Sequence, residues 1–197
     1  LGIGGSNVVT SPSTMSKIYW SIAVPKMMFG IDVTALSDKN LDTIEVAHRQ
    51  HANLIQNLPS STPKPASLAL LGWQSMKSYV AYVKIMFMIR VLCLASDNLH
   101  RKLMITSIDV INNRREDKER DLTPVGDALR YVKLFGLSEV IQTCIRSGEW
   151  KMINGLKKNV RGIIRGYEDA AWRSSCLLYR RLNVYNGVVQ KRAIHVW

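Results

Sequence analysis

Cysteine is scarce in this sequence: Cys93, Cys144 and Cys176 are the only three, and they lie far apart. An odd, widely spaced set excludes a disulfide framework and a zinc ribbon, which need paired cysteines. The three read as small buried hydrophobes in a reducing, intracellular compartment. Acidic residues are few as well, 15 Asp+Glu against 27 Lys+Arg, which leaves a formal charge of +12. That balance implies an acidic partner, with nucleic acid first in line.

Long apolar runs are missing. The longest, 79–95, carries Lys84 and Arg90 and falls short of the ~20 apolar residues a spanning helix needs, so no spanning helix is expected. An anionic membrane surface ranks second to nucleic acid, only through the basic C-terminal helix, and no membrane partner is expected. An initiator methionine is missing too, and no basic segment precedes an apolar one. The chain is therefore expected to be a processed product or, better, the tail of a longer open reading frame, and not secreted. With 47% apolar and 21% charged residues, what remains is ordinary globular composition, enough to bury a core.

Strand alternation is absent apart from short ambiguous runs near Val8 and Val188, and helical signals run almost end to end. After a loose segment, 1–15, Ser13 or Thr14 is placed to cap a helix that Pro25 kinks or restarts and Gly30 ends. Ser37 and Asp38 start the next, with Leu41, Ile44, His48, His51, Leu54 and Ile55 at helical spacing and Pro59 beyond. A short helix over 66–71 closes at Gly72. A nearly all-buried helix follows over 75–95, and another, capped by Ser96 and Asp97, points Leu99, Leu103, Ile105 and Ile108 inward.

The block 114–122 is dense in alternating charges that nearly cancel, and reads as a solvated linker between a helical region 16–113 and a second one, 123–197. Thr123-Pro124 is a helix start, with Gly136 as its stop, and Ser138 starts another. A long helix is then expected from Glu149 to about Tyr185. Its inward stripe is Trp150, Ile153, Leu156, Val160, Ile163, Tyr167, Ala170 and Leu177, and Gly155, Gly162 and Gly166 weaken it. The fold class is all-α.

Catalytic constellations are also lacking. His48 and His51 sit one turn apart, but no further ligands accompany them, so they read as structural histidines and no metal or cofactor is expected. Tyr167-Glu168-Asp169 lies mid-helix without a second aspartate strand turn, so it reads as a solvated acidic patch rather than a two-metal site. No phosphate loop follows a strand and no nucleophile elbow exists.

The basic residues carry more information. From 149 to 197 there are ten Lys+Arg against three acids, and Lys151, Lys158, Arg161, Arg165 and Arg173 avoid the apolar stripe. Such a face tracks phosphates without reading sequence, although a merely solubilising face has the same composition. The tryptophans read as core or interface anchors.

Three strings together resemble the region downstream of the palm in non-LTR (LINE-type) retrotransposon reverse transcriptases of invertebrate type. Pro25, Phe29 and Gly30 match a proline-bearing helix before an aromatic-Gly element, with Asp32 where that family carries Glu. Leu58, Pro59, Thr62, Pro63, Leu71, Gly72 and Trp73 match its next helix, its Leu-Pro and its Leu-Gly-Trp element. Trp150, Lys151, Val160, Trp172, Arg173, Cys176, Leu178 and Tyr179 match its extreme C-terminal helix. The resemblance implies a thumb-like helical bundle followed by a smaller bundle around the long C-terminal helix. It places the catalytic aspartates in an upstream palm of the same element, so this chain alone would not polymerise. It implies contact with an RNA or RNA–DNA template-primer duplex, for which Lys17, Lys26, Lys157, Lys158, Arg161 and Arg165 are the candidate phosphate contacts. The alternatives are a helical protein-interaction module and an inert, degraded retroelement fragment.

Overall fold

A computed structural model describes residues 11–113, 123–147 and 153–179, and among them every regular element is helical. The fold is all-α.

Helix α1 (Pro12–Ile18) opens on Ser11, whose hydroxyl accepts the Thr14 amide at 3.2 Å, with Pro12 in the first turn where its missing N–H costs nothing. The chain does not break at Pro25. Instead Tyr19–Ala23 widens into a π turn, Val24 donates its amide to the Tyr19 carbonyl, and α2 (Val24–Met27) continues. Pro25 has no amide for the Ser21 carbonyl, and its ring would strike that carbonyl in a regular helix; the wider turn accommodates both.

Helix α3 (Asp38–Ile55) begins with the Ser37 hydroxyl accepting the Asn40 amide. Then come α4 (Lys64–Ala69), α5 (Met76–Leu92), α6 (Leu99–Asn113), α7 (Pro124–Leu134), α8 (Ser138–Ser147) and α9 (Ile153–Leu177). Thr123 caps α7 by accepting the Gly126 amide at 3.0 Å. Helix α6 is capped one residue later than expected, by Asn98, whose side-chain oxygen accepts the His100 amide. Gly72 and Gly136 stop their helices with φ of 66° and 65°. In each case the following amide reaches five residues back, Trp73 to Leu68 and Leu137 to Val132. Asn57 ends α3 in the same way with φ 53°, a stop that the prolines beyond it masked in the sequence.

The chain divides into two compact units, both discontinuous in sequence. The first is Leu1–Phe29, Asp42–Met76 and Asp169–Trp197; the second is Gly30–Leu41 and Lys77–Glu168. The expected linker, 114–122, lies outside the described residues, but the segments flanking it fall in one unit rather than two. The physical reason is long-range bonding: Lys84 on α5 pairs with Asp127 on α7, and Arg101 on α6 donates to the Ile145 carbonyl on α8.

The first unit is built on an aromatic stack. The Tyr19 and Trp73 rings lie parallel at 4.5 Å, and the His48 ring stacks on Trp73 at 4.9 Å. Trp73 donates its indole N–H to the Ser16 hydroxyl, and Trp172 donates its own to the Pro65 carbonyl at 2.9 Å. In the second unit α5 is buried nearly all round, with Val80, Ala81, Ile85, Met88, Ile89 and Leu92 inaccessible, as its composition implied.

Three inward stripes differ from those read off the sequence. On α3 the buried line is Leu41, Glu45, His48 and Ala52, while His51 and Leu54 are exposed. On α6 Arg101 and Ile108 are buried and Leu99 and Leu103 face out. On α9 the buried residues are Val160, Ile164, Trp172 and Cys176, not Tyr167, Ala170 and Leu177. In the first two a polar or charged side chain, which hydropathy assigns to solvent, takes an inward position because buried partners satisfy it.

Gly162 on α9 is exposed, and a Cβ there would meet nothing within 4 Å; the same holds for Gly155 and Gly166. Gly162→Ala is therefore expected to stabilise the protein by up to about 1 kcal/mol by lowering the entropy cost of the helix. A urea-unfolding midpoint that falls in this variant contradicts the open surroundings of that position.

Candidate functional site

The candidate phosphate contacts divide between the units. Lys17 on α1 and Lys26 on α2 are exposed members of the first. Lys157, Lys158, Arg161 and Arg165 lie on the part of α9 that belongs to the second. On that helix Lys157, Arg161 and Arg165 follow one another at intervals of four, and Lys158 precedes Arg161 by three, so consecutive members sit about one turn apart. Lys157, Lys158 and Arg165 are exposed.

Arg161 differs from the other three. It is half-buried, its guanidinium carbon lies 5.2 Å from the centre of the Tyr82 ring, and Nη2 donates to the Tyr82 hydroxyl at 3.3 Å. Tyr82 thus orients this cation by ring stacking and a hydrogen bond, which costs it part of its reach toward a ligand. Arg173 is exposed on the same helix within the first unit, and Lys151 lies outside the described residues.

His48 is a buried titratable group of the first unit with hydrogen-bond partners on both ring nitrogens. The Gln74 carbonyl, 3.0 Å from Nε2, only accepts, so Nε2 carries the proton and Nδ1 accepts from the Tyr19 hydroxyl at 2.9 Å. Burial lowers the His48 pKa to about 4, against a smaller opposing effect of the Gln74 carbonyl and with His51 adding to the fall. Burial, helped by the Glu45 charge, raises Tyr19 to about 12. His51 is exposed and its Nδ1 faces the Ala47 carbonyl of its own helix at 3.0 Å. The two histidines bond to different carbonyls, and among the described residues no group of three or more His, Cys, Asp or Glu is arranged to hold a metal ion.

The second unit contains a charged cluster that no local sequence signal announced. The Lys84 side chain is 0% exposed; it donates to the Thr34 carbonyl and lies 3.1 Å from Asp127. Asp127 also accepts the Leu36 amide at 3.4 Å and Arg130 at 2.9 Å, and Arg130 reaches Asp38 at 3.1 Å. The cluster ties the segment before α3 to α5 and α7. Its charges are mutually satisfied, and its role is positional.

Tyr167, Glu168 and Asp169 lie inside α9, a helical placement unlike a metal-binding strand turn. Of the tryptophans, Trp73 and Trp172 are buried, Trp20 is half-buried, and Trp150 and Trp197 lie outside the described residues. No helix among the described residues is long and apolar enough to cross a membrane.

Fold and site together define a basic all-α protein with exposed cations along α9. No protein-family model matches the chain, and no curated protein or solved structure matches it either.

Proposed function

We propose that the chain is a non-catalytic, C-terminal helical part of a retroelement RNA-directed DNA polymerase that grips the backbone of a template-primer duplex. The observation that carries this reading is the exposed Lys157, Lys158 and Arg165 on α9, in a chain of net charge +12. The order and spacing of the matching strings support the family resemblance, and the exposure of these three side chains supports the choice of face. On this reading the isolated chain performs no polymer-forming or nuclease step, and the chemistry belongs to an upstream palm.

Binding to a fluorescein-labelled RNA–DNA hybrid, followed by anisotropy, tests the proposal. Each phosphate neutralised releases counterions, so log affinity falls against log salt with a slope of about −0.9 per contact on B-DNA, and similarly on a hybrid. Three contacts weaken binding about 40-fold between 50 and 200 mM salt; recruitment of Arg161 raises this to roughly two orders of magnitude. Replacing Lys157, Lys158, Arg161 and Arg165 by Gln is expected to flatten the slope with helical content intact. An unchanged slope in the folded variant removes this face from the interface.

The rival reading, a protein-interaction module, draws on exposed Ile18, Ile22 and Phe29, the last 93% accessible. It expects no binding to the hybrid at 50 mM salt and no coupling between charge and slope.

A further inference from the structure

Sequence distance separates Cys93 from Cys144, but the second unit brings them together. Cys93 follows directly on the end of α5, and Cys144 lies in α8. Arg101, from α6, bridges the residues next to both: Nη1 donates to the Leu94 carbonyl at 3.1 Å and Nη2 to the Ile145 carbonyl at 3.0 Å. One planar guanidinium therefore holds the two chain segments a few ångströms apart. Both thiols are buried, at 4% and 2% exposure, each is free, and each influences the ionisation of the other.

We propose that Cys93 and Cys144 are a redox pair that a low-molecular-weight disulfide converts into an intrachain disulfide, locking the end of α5 to α8. Burial raises both thiols; at Cys93 the neighbouring Cys144 and Arg101 oppose the rise, whereas Cys144, with Cys93 adding to the effect of burial, is pushed up to about 12, so Cys93 attacks first. The Cys93 thiolate displaces one thiolate from the oxidant and forms a mixed disulfide. After losing its proton, Cys144 displaces the second and closes the bond. Two protein thiols are oxidised, one disulfide of the oxidant is reduced to two thiols, and two electrons pass between them. Burial of both sulfurs makes the step slow at neutral pH and faster as pH rises, because the thiolate is the reacting form.

The test treats the folded chain with oxidised glutathione, alkylates the remaining thiols and maps tryptic peptides without reduction. Peptides 91–101 and 134–146 are expected to appear joined, while Cys176 is alkylated. Closing a loop of about 50 residues is expected to raise the thermal midpoint by about 5 °C or more, reversibly with dithiothreitol. Cys144→Ser is expected to stop at a glutathione adduct on Cys93. The proposal is overturned if all three cysteines remain alkylatable after prolonged oxidation at pH 9. It is equally overturned if Cys176 is the joined partner, or if Cys93 and Cys144 each carry glutathione.

Discussion

Asp127→Ala is expected to destabilise the protein by about 3–5 kcal/mol, the cost of leaving a buried charge without its counterion. The Lys84 ammonium is inaccessible to water, and its other contact shown is a neutral carbonyl, that of Thr34. The same substitution takes the acceptor from the Leu36 amide and one of the two carboxylates from Arg130. Removing both charges is a different experiment. Lys84→Met with Asp127→Leu replaces the pair by apolar groups, so the double variant is expected to lose less than Asp127→Ala alone. Urea unfolding monitored by circular dichroism measures both. A loss below about 1 kcal/mol in Asp127→Ala contradicts the assignment of a buried, mutually dependent pair.

Acid is expected to unfold the protein partly through His48. Its folded pKa of about 4 lies below the ordinary 6.5, so between these values the unfolded chain binds more protons than the folded one. Stability then rises with pH across this window: the contribution is complete above about pH 6.5 and is lost as pH falls to about 4. The difference in pKa corresponds to about 3 kcal/mol. Structurally, a proton on Nδ1 would face the Tyr19 hydroxyl that now donates to it, within a stack closed by Trp73 and with His51 and Glu45 nearby. His48→Phe keeps a ring in the stack but forfeits both hydrogen bonds, so it lowers stability at pH 7 and flattens the profile between pH 4 and 6.5. Urea midpoints across that range, compared between the two proteins, isolate the histidine from the carboxylates. An equally steep profile in His48→Phe excludes His48 as the titrating group.

Much of the helical framework is readable locally. Ser37 and Thr123 carry side-chain oxygens that accept amides three residues on, and Gly72 and Gly136 supply the positive φ at which a helix closes. These signals need only nearest neighbours, which is why they survive translation from sequence to structure. Pro25 was legible as a perturbation but not as a π turn, because a kink and a widened turn both relieve the same missing amide.

The faces of the helices were less legible. Glu45, Lys84 and Arg101 are charged, yet each lies buried against a partner distant in sequence: the Met76 amide, Asp127 and the Ile145 carbonyl. Hydropathy places such residues outside and shifts the whole stripe with them. The same limitation applies to the candidate site: spacing put Arg161 in line with Lys157 and Arg165, and only the placement of Tyr82 distinguishes it from them.

The sequence by itself determined the helical class, most helix ends and an excess of positive charge, because each depends on composition or on contacts within a turn. Tertiary structure alone decided which residues form a unit and which charges are buried. The physical reason is that desolvation penalises a buried charge or polar group unless a specific partner is present. That partner, for Lys84 and for Arg101 alike, comes from a helix more than 40 residues away in the chain.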